Sequence, residues 1–172
     1  MKAVKGGDAR MNEGGFSPVT VSALATHHFL HGMPREQLAE LAQAAHLVSL
    51  PAGRRVFEDG GRATGFWLIR SGSVALDLHV PGEGQITIET LGMGEVLGWS
   101  WQLPDRKWAL GAVTIQPVEA FAFDGKAVRA LCDADPRLGY ELSRRFLDVA
   151  SNRLRAIRNR LLDRYMPARP WP

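Results

Sequence analysis

Val74, Leu76, Leu78 and Val80 alternate with Ala75, Asp77 and His79, and a period of two places the two sets on opposite faces of a β-strand. The stretch 81–84 interrupts this pattern and Ile86 and Ile88 resume it, which predicts a β-hairpin. Gly53, Gly60, Gly61, Gly65, Gly72, Gly84, Gly92 and Gly94 punctuate the same region, at the short intervals of strands joined by turns. Such spacing predicts a barrel or jelly roll and not alternating β and α units.

The flanks follow a different period. Ser17 and Pro18 make an N-cap and first-turn pair ahead of Val21, Leu24 and Phe29, with a stop at Gly32. Pro34 starts a second helix whose apolar stripe is Leu38, Leu41, Ala42 and Ala45. Late in the chain, Asp135 and Pro136 open a segment in which Leu142, Phe146, Val149, Ala150, Leu154, Ile157 and Leu161 recur mostly at steps of three and four. This predicts one helix of about 28 residues, about 42 Å long at 1.5 Å per residue. It is longer than the roll it leaves, so its outer part needs another surface. A parallel second copy would bury Leu154, Ile157 and Leu161, at about 1.5 to 3 kcal/mol each before ordering costs; the alternative is that the helix folds back on its own roll.

A chain of 172 residues with 45% hydrophobic content suits one domain with a real core plus an extra helix. Residues 1–16, with Gly6, Gly7, Gly14 and Gly15 among scattered charges, have little to bury and are expected to form a disordered tail. The remaining divisions are 17–135 for the roll with its N-terminal helices, 136–165 for the long helix and 166–172 for a second tail. No apolar run approaches the roughly 18 residues that cross a bilayer, and the N-terminus lacks an apolar signal core, so a cytoplasmic protein without membrane contact is expected. The net charge of +3 is small. From Arg144 onward, however, eight arginines stand against Asp148 and Asp163, either as a solvated helix face or as a surface for an acidic protein partner.

Catalytic and metal chemistry find little support. Cys132 has no second cysteine to pair with, and its neighbours Val128 and Leu131 indicate packing. His27 and His31 are spaced to share a helix face, but no clustered Cys, Asp or Glu completes a metal site. Ser71 and Ser100 lack a neighbouring histidine and acid, so an enzyme is not expected; no cofactor is assured, and haem on His79 or His46 is a remote alternative. Trp99, Trp101 and Trp108 fall in one loop, where they would either stack a ring-shaped ligand or fill its space.

The most informative stretch is Leu91 to Glu119, LGMGEVLGWSWQLPDRKWALGAVTIQPVE. Gly94, Glu95, Val96 and Leu97 form a Gly-Glu-aliphatic turn opening a short helix, whose free N–H groups suit an anion. Together with the upstream LPAGRRVFEDGGRATGFWLIRSGSVAL and the downstream TIQPVEAFAFD, it resembles the cyclic-nucleotide-binding domain of the Crp/Fnr regulator superfamily over roughly residues 22 to 165. The resemblance implies an α+β, mainly β, double-stranded β-helix or jelly roll, with N-terminal helices and a long C-terminal dimerisation helix. It also implies corner glycines at Gly61 and Gly72, Glu95 on a ribose 2′-hydroxyl, and the N–H groups of Val96, Leu97 and Gly98 on a cyclic phosphate. A homodimer through Leu142, Phe146, Val149, Ala150, Leu154, Ile157 and Leu161 follows from the same source.

This chain departs from the pattern at one place. With Pro117 and Glu119 aligned to the end of the following strand, the family's phosphate arginine falls on Trp108 and the next small residue on Ala109. An indole cannot neutralise a phosphate as a bidentate guanidinium does, so cyclic AMP or cyclic GMP is a ligand here only if Arg106 or Lys107 lends the charge. After Tyr165 the sequence has seven residues, too few for the helix-turn-helix that follows in the family's regulators. The function expected is therefore a stand-alone regulatory or sensor module that binds a small ligand and acts through a protein partner and not DNA. The alternative is a ligand-free protein-association scaffold whose pocket is filled by its own tryptophans.

Overall fold

In a computed structural model the described residues are 18–165; Ser17 and the two expected tails lie outside them. Thr20 caps α1 (Val21–Ala25), its hydroxyl oxygen accepting from the Ala23 N–H at 3.2 Å. The first expected helix then breaks. His27 is extended, and its Nδ1 accepts from the Phe29 N–H at 3.2 Å, starting a separate 3₁₀ turn over His28–Leu30. The second helix, α2 (Arg35–Gln43), buries Leu38 and Leu41 but stops before Ala45, which instead opens the first strand.

Eight antiparallel strands follow among the described residues: β1 (Ala45–Leu50), β2 (Arg55–Phe57), β3 (Gly65–Ser71), β4 (Val74–Val80), β5 (Gly84–Leu91), β6 (Val96–Leu97), β7 (Gly111–Thr114) and β8 (Val118–Asp124). They form two four-stranded sheets ordered β1-β8-β3-β6 and β2-β7-β4-β5, the jelly roll that the glycine spacing predicts. The expected hairpin is β4–β5, with Val80 opposite Gly84 and Leu78 opposite Ile86. Gly72 makes a corner no other residue could occupy: its φ is +81°, and a Cβ there would lie 2.0 Å from the Pro117 carbonyl oxygen.

The first sheet is covered on both faces. In β3, Phe66 stacks on Phe123 at 4.5 Å and Trp101 at 5.4 Å and meets the Phe146 edge at 5.1 Å. Its neighbour Trp67 points the other way, into the roll, toward Phe57 and Trp108. Successive side chains thus reach opposite apolar layers, so the segment reads as a continuous hydrophobic run without alternation. The second sheet holds a part-buried charge pair, Arg55 Nη1 lying 2.7 Å from both Asp77 carboxylate oxygens. That pair explains how Asp77, on the polar side of the β4 alternation, comes to be buried.

α3 (Gly125–Ala134), capped by Asp124, leads into α4 (Pro136–Tyr165). The inner turns of α4 pack beneath the first sheet and the outer turns run along β5 and β6. Arg153 Nε lies 2.9 Å from the Glu89 carboxylate while its Nη2 donates to the Val96 carbonyl at 3.0 Å, and Arg160 donates to the Ile88 carbonyl. This corrects the expected pairing surface. Leu142 and Phe146 are 0% and 3% exposed, closed in the chain's own core because Phe146 packs on Phe29, Phe66 and Trp101; neither can face a second copy. Leu154 and Leu161 are exposed, as is Leu147, seven residues before Leu154. No helix among the described residues is long and apolar enough to cross a membrane.

Candidate ligand-binding site

The cassette after β5 is built by backbone constraints. The Gly94 N–H donates to the Ile69 carbonyl at 2.8 Å and the Ile69 N–H to the Glu95 carbonyl at 3.0 Å, pinning the turn to β3. The Glu95 carboxylate closes the same turn by accepting from the Gly92 N–H at 2.7 Å. Val96 and Leu97 then form β6, pairing with Leu68 and Trp67. Only after Gly98, at φ +87°, does a short 3₁₀ helix begin, over Trp99–Gln102.

The cassette helix therefore opens four residues later than the Gly94 to Leu97 turn suggests. Val96 and Leu97 are committed to a strand and Glu95 to its own turn, so none of them presents a helix-opening donor. The residue that follows the left-handed glycine is Trp99. Gly98 is needed for space as well as for φ, since a Cβ would lie 3.0 Å from the Trp108 ring and 3.2 Å from the Gly65 carbonyl oxygen.

The three tryptophans do not act as one cluster. Trp101 is buried on the helical side, under the Arg129 guanidinium at 5.7 Å. Trp108 is a wall of the roll, stacked on Phe57 at 3.9 Å and 14°, with its backbone N–H donating to the Gly61 carbonyl at 2.8 Å. Trp99 is half-buried beside it. Between them they leave a cavity of about 550 Å³. Leu76 and Leu78 of β4, Ile88 of β5 and Phe57 form its sheet side, and Gly98, Trp99, Ser100, Trp108, Ala109 and Leu110 its cassette side. α4 supplies the lid with Ala150, Arg153, Leu154 and Ile157.

Arg106 and Lys107 stay outside this cavity. Both are exposed: Arg106 has φ +47° and its carbonyl accepts from the Ala63 N–H, and Lys107 sits opposite Arg62 on a short bridge. Glu95 and Val96 instead border a second cleft of about 320 Å³, with Glu89, Val149 and Arg153. Arg153 stands between the two spaces. Burial lowers its pKa, and the nearby carboxylates of Glu89 and Glu95 oppose that shift. His27 spends both ring nitrogens on backbone, Nε2 on the Ile69 carbonyl at 3.1 Å and Nδ1 on Phe29. Among the described residues no three His, Cys, Asp or Glu side chains gather to hold a metal ion.

Sequence reasoning missed Phe57, Leu76, Leu78, Ile88, Ser100, Leu110 and Arg153 as lining residues. The period of two in β4 put Leu76 and Leu78 inside the roll without distinguishing a packed interior from a cavity wall.

Residues 47–135, just over half of the chain, match the cyclic nucleotide-binding domain family. The chain belongs to that family. Its fold is shared with solved structures, among them a cyclic nucleotide-binding domain from Methylobacillus flagellatus KT, with a TM-score of 0.70 and 21% identity over 77% of this chain and 74% of that one. The catabolite activator protein of Thermus thermophilus aligns with a TM-score of 0.63 and 23% identity over 78% of this chain and 61% of that one. A cyclic nucleotide-binding-like protein from Brucella abortus aligns with a TM-score of 0.56 and 27% identity over 66% and 97%. No curated protein matches the sequence. Within the cyclic nucleotide-binding domain described here, Glu95 borders the smaller cleft, and the cavity wall carries the indoles of Trp99 and Trp108.

Proposed function

We propose that this cyclic nucleotide-binding domain is a regulatory module that holds a small molecule in the roll and transmits occupancy through α4 to a protein partner. The observation that carries the reading is the composition of the cavity's boundary. Sheet, cassette and α4 each contribute a wall, so a bound molecule touches the helix directly and can shift its equilibrium position only by binding one position better than another. The tryptophans leave this space open, which speaks against a scaffold plugged by its own side chains. The work is binding and not catalysis, and the setting proposed is cytoplasmic.

Homodimerisation belongs to the same reading in a narrowed form. Leu147, Ala150, Leu154, Ile157 and Leu161 fall at alternating steps of three and four along α4, the spacing of a coiled-coil seam. Cyclic AMP and cyclic GMP fit the site poorly, because the lining offers one cation, Arg153, already engaged by Glu89. Native mass spectrometry of freshly purified protein reads copies and carried ligand together, and hydrogen exchange reads α4. A small molecule that co-purifies with the chain and protects residues 150–160 is expected. Protein that carries nothing and shows no exchange change with any of a broad ligand panel would refute the proposal.

A further inference from the structure

This step rests on the ligand-binding reading above and narrows it. We infer that the roll cavity selects an uncharged, predominantly apolar molecule that places one hydrogen-bonding group on the Ser100 hydroxyl, and that it discriminates against anions.

Three observations converge on that class. First, Ser100 is 5% exposed and is the one hydroxyl-bearing residue that borders the cavity. A hydroxyl on an otherwise apolar wall offers one donor and one acceptor, and a ligand polar atom there would pair with it. Second, Arg153 is the one charged residue lining the cavity, and Glu89 at 2.9 Å has already neutralised it. A seated anion would lose its hydration while facing a pair of no net charge. Third, the remaining cassette cations, Arg106 and Lys107, are exposed and line no part of the space. What is left is aliphatic and aromatic: leucines and isoleucine from the strands, indoles from the cassette.

A matched probe pair tests this: neutral N-phenyl-1-naphthylamine and its sulfonated analogue 1-anilinonaphthalene-8-sulfonate, followed by their emission on titration into the full chain. The neutral probe is expected to saturate at one per chain and to bind at least about tenfold more tightly than the sulfonate, about 1.4 kcal/mol. Glu89→Gln uncovers the Arg153 charge and should shift the preference toward the sulfonate by about tenfold. Ser100→Ala should weaken a neutral probe that reaches the hydroxyl by about three- to tenfold. Ala150→Trp and Ile157→Trp, which plug the space from the helix, should abolish binding while keeping a cooperative melt.

Equal affinities for the two probes, or a Glu89→Gln ratio unchanged from wild type, would overturn the selectivity while leaving ligand binding intact. Probe binding that survives in both plugged variants would overturn the placement. If neither probe binds wild type but the neutral one binds the Leu154→Glu variant, the occupant is the α4 of a second copy and the inference fails. Absence of binding under all conditions removes the ligand-binding reading itself.

Discussion

The Arg153 clasp gives the sharpest test of how α4 is held. Arg153 and Glu89 have side chains only 10% and 13% exposed, and the guanidinium also donates to the Val96 carbonyl at 3.0 Å. Arg153→Leu would leave the Glu89 carboxylate secluded without its counter-charge. Breaking such a pair from one side costs about 3 to 5 kcal/mol, and the residual exposure here places the expected loss near 3 kcal/mol. For a chain of this size that corresponds to a fall in Tm of about 6 to 12 °C. Replacing both members, Arg153→Leu with Glu89→Leu, removes the orphaned charge and should recover most of the loss, giving a coupling of about 2 kcal/mol in the double-mutant cycle. Urea unfolding of the four proteins measures the cycle, and hydrogen exchange over residues 150–162 localises it. A cost below about 1 kcal/mol for Arg153→Leu, the range of an exposed ion pair, would show that the helix is not secured there and would undo the argument that a ligand behind it can move it.

The other predictions concern separate parts of the molecule. Gly111→Ala places a Cβ 2.3 Å from an Asp77 carboxylate oxygen and 2.8 Å from Arg55 Nη1, so it should destabilise the roll by about 3 kcal/mol, read as a lowered urea midpoint; a midpoint equal to wild type would show that the pair yields freely. Burial lowers the His27 pKa from 6.5, the Ile69 hydrogen bond opposing and His28 assisting. Its contribution is thus present above pH 6.5 and is lost as pH falls below that value toward the folded pKa. His27→Gln should flatten part of this acid slope in thermal melts, with His46, whose pKa burial also lowers, contributing as well; an unaltered slope would show that His27 is not the titrating group. Leu154→Glu combined with Ile157→Glu should halve the mass seen by light scattering if the α4 seam pairs two copies, and an unchanged mass would refute the pairing.

Much of the fold was legible because it depends on local chemistry. The alternation in β4 and β5 and the long amphipathic helix each follow from a repeat contained within a few residues. The site was harder to read. Gly94 and Glu95 carry a plausible anion-turn pattern, yet their turn is consumed in joining β5 to β6, and an identical kind of opening, Gly98 followed by Trp99, lies four residues on. A strand of two residues, Val96–Leu97, is too short to declare itself in sequence; its existence depends on β3 lying alongside.

The amino-acid order by itself therefore determined the roll and the long C-terminal helix, since side-chain period and glycine placement need no distant partner. Closure of the roll decided the rest. It turned Phe66 toward the helices and Trp67 toward the interior, buried Leu142 and Phe146 that a helical repeat alone offered to a second copy, and brought Arg153 to Glu89 across 64 residues. Those outcomes depend on which surfaces meet, and a cavity between them is a property of packing that no single segment encodes.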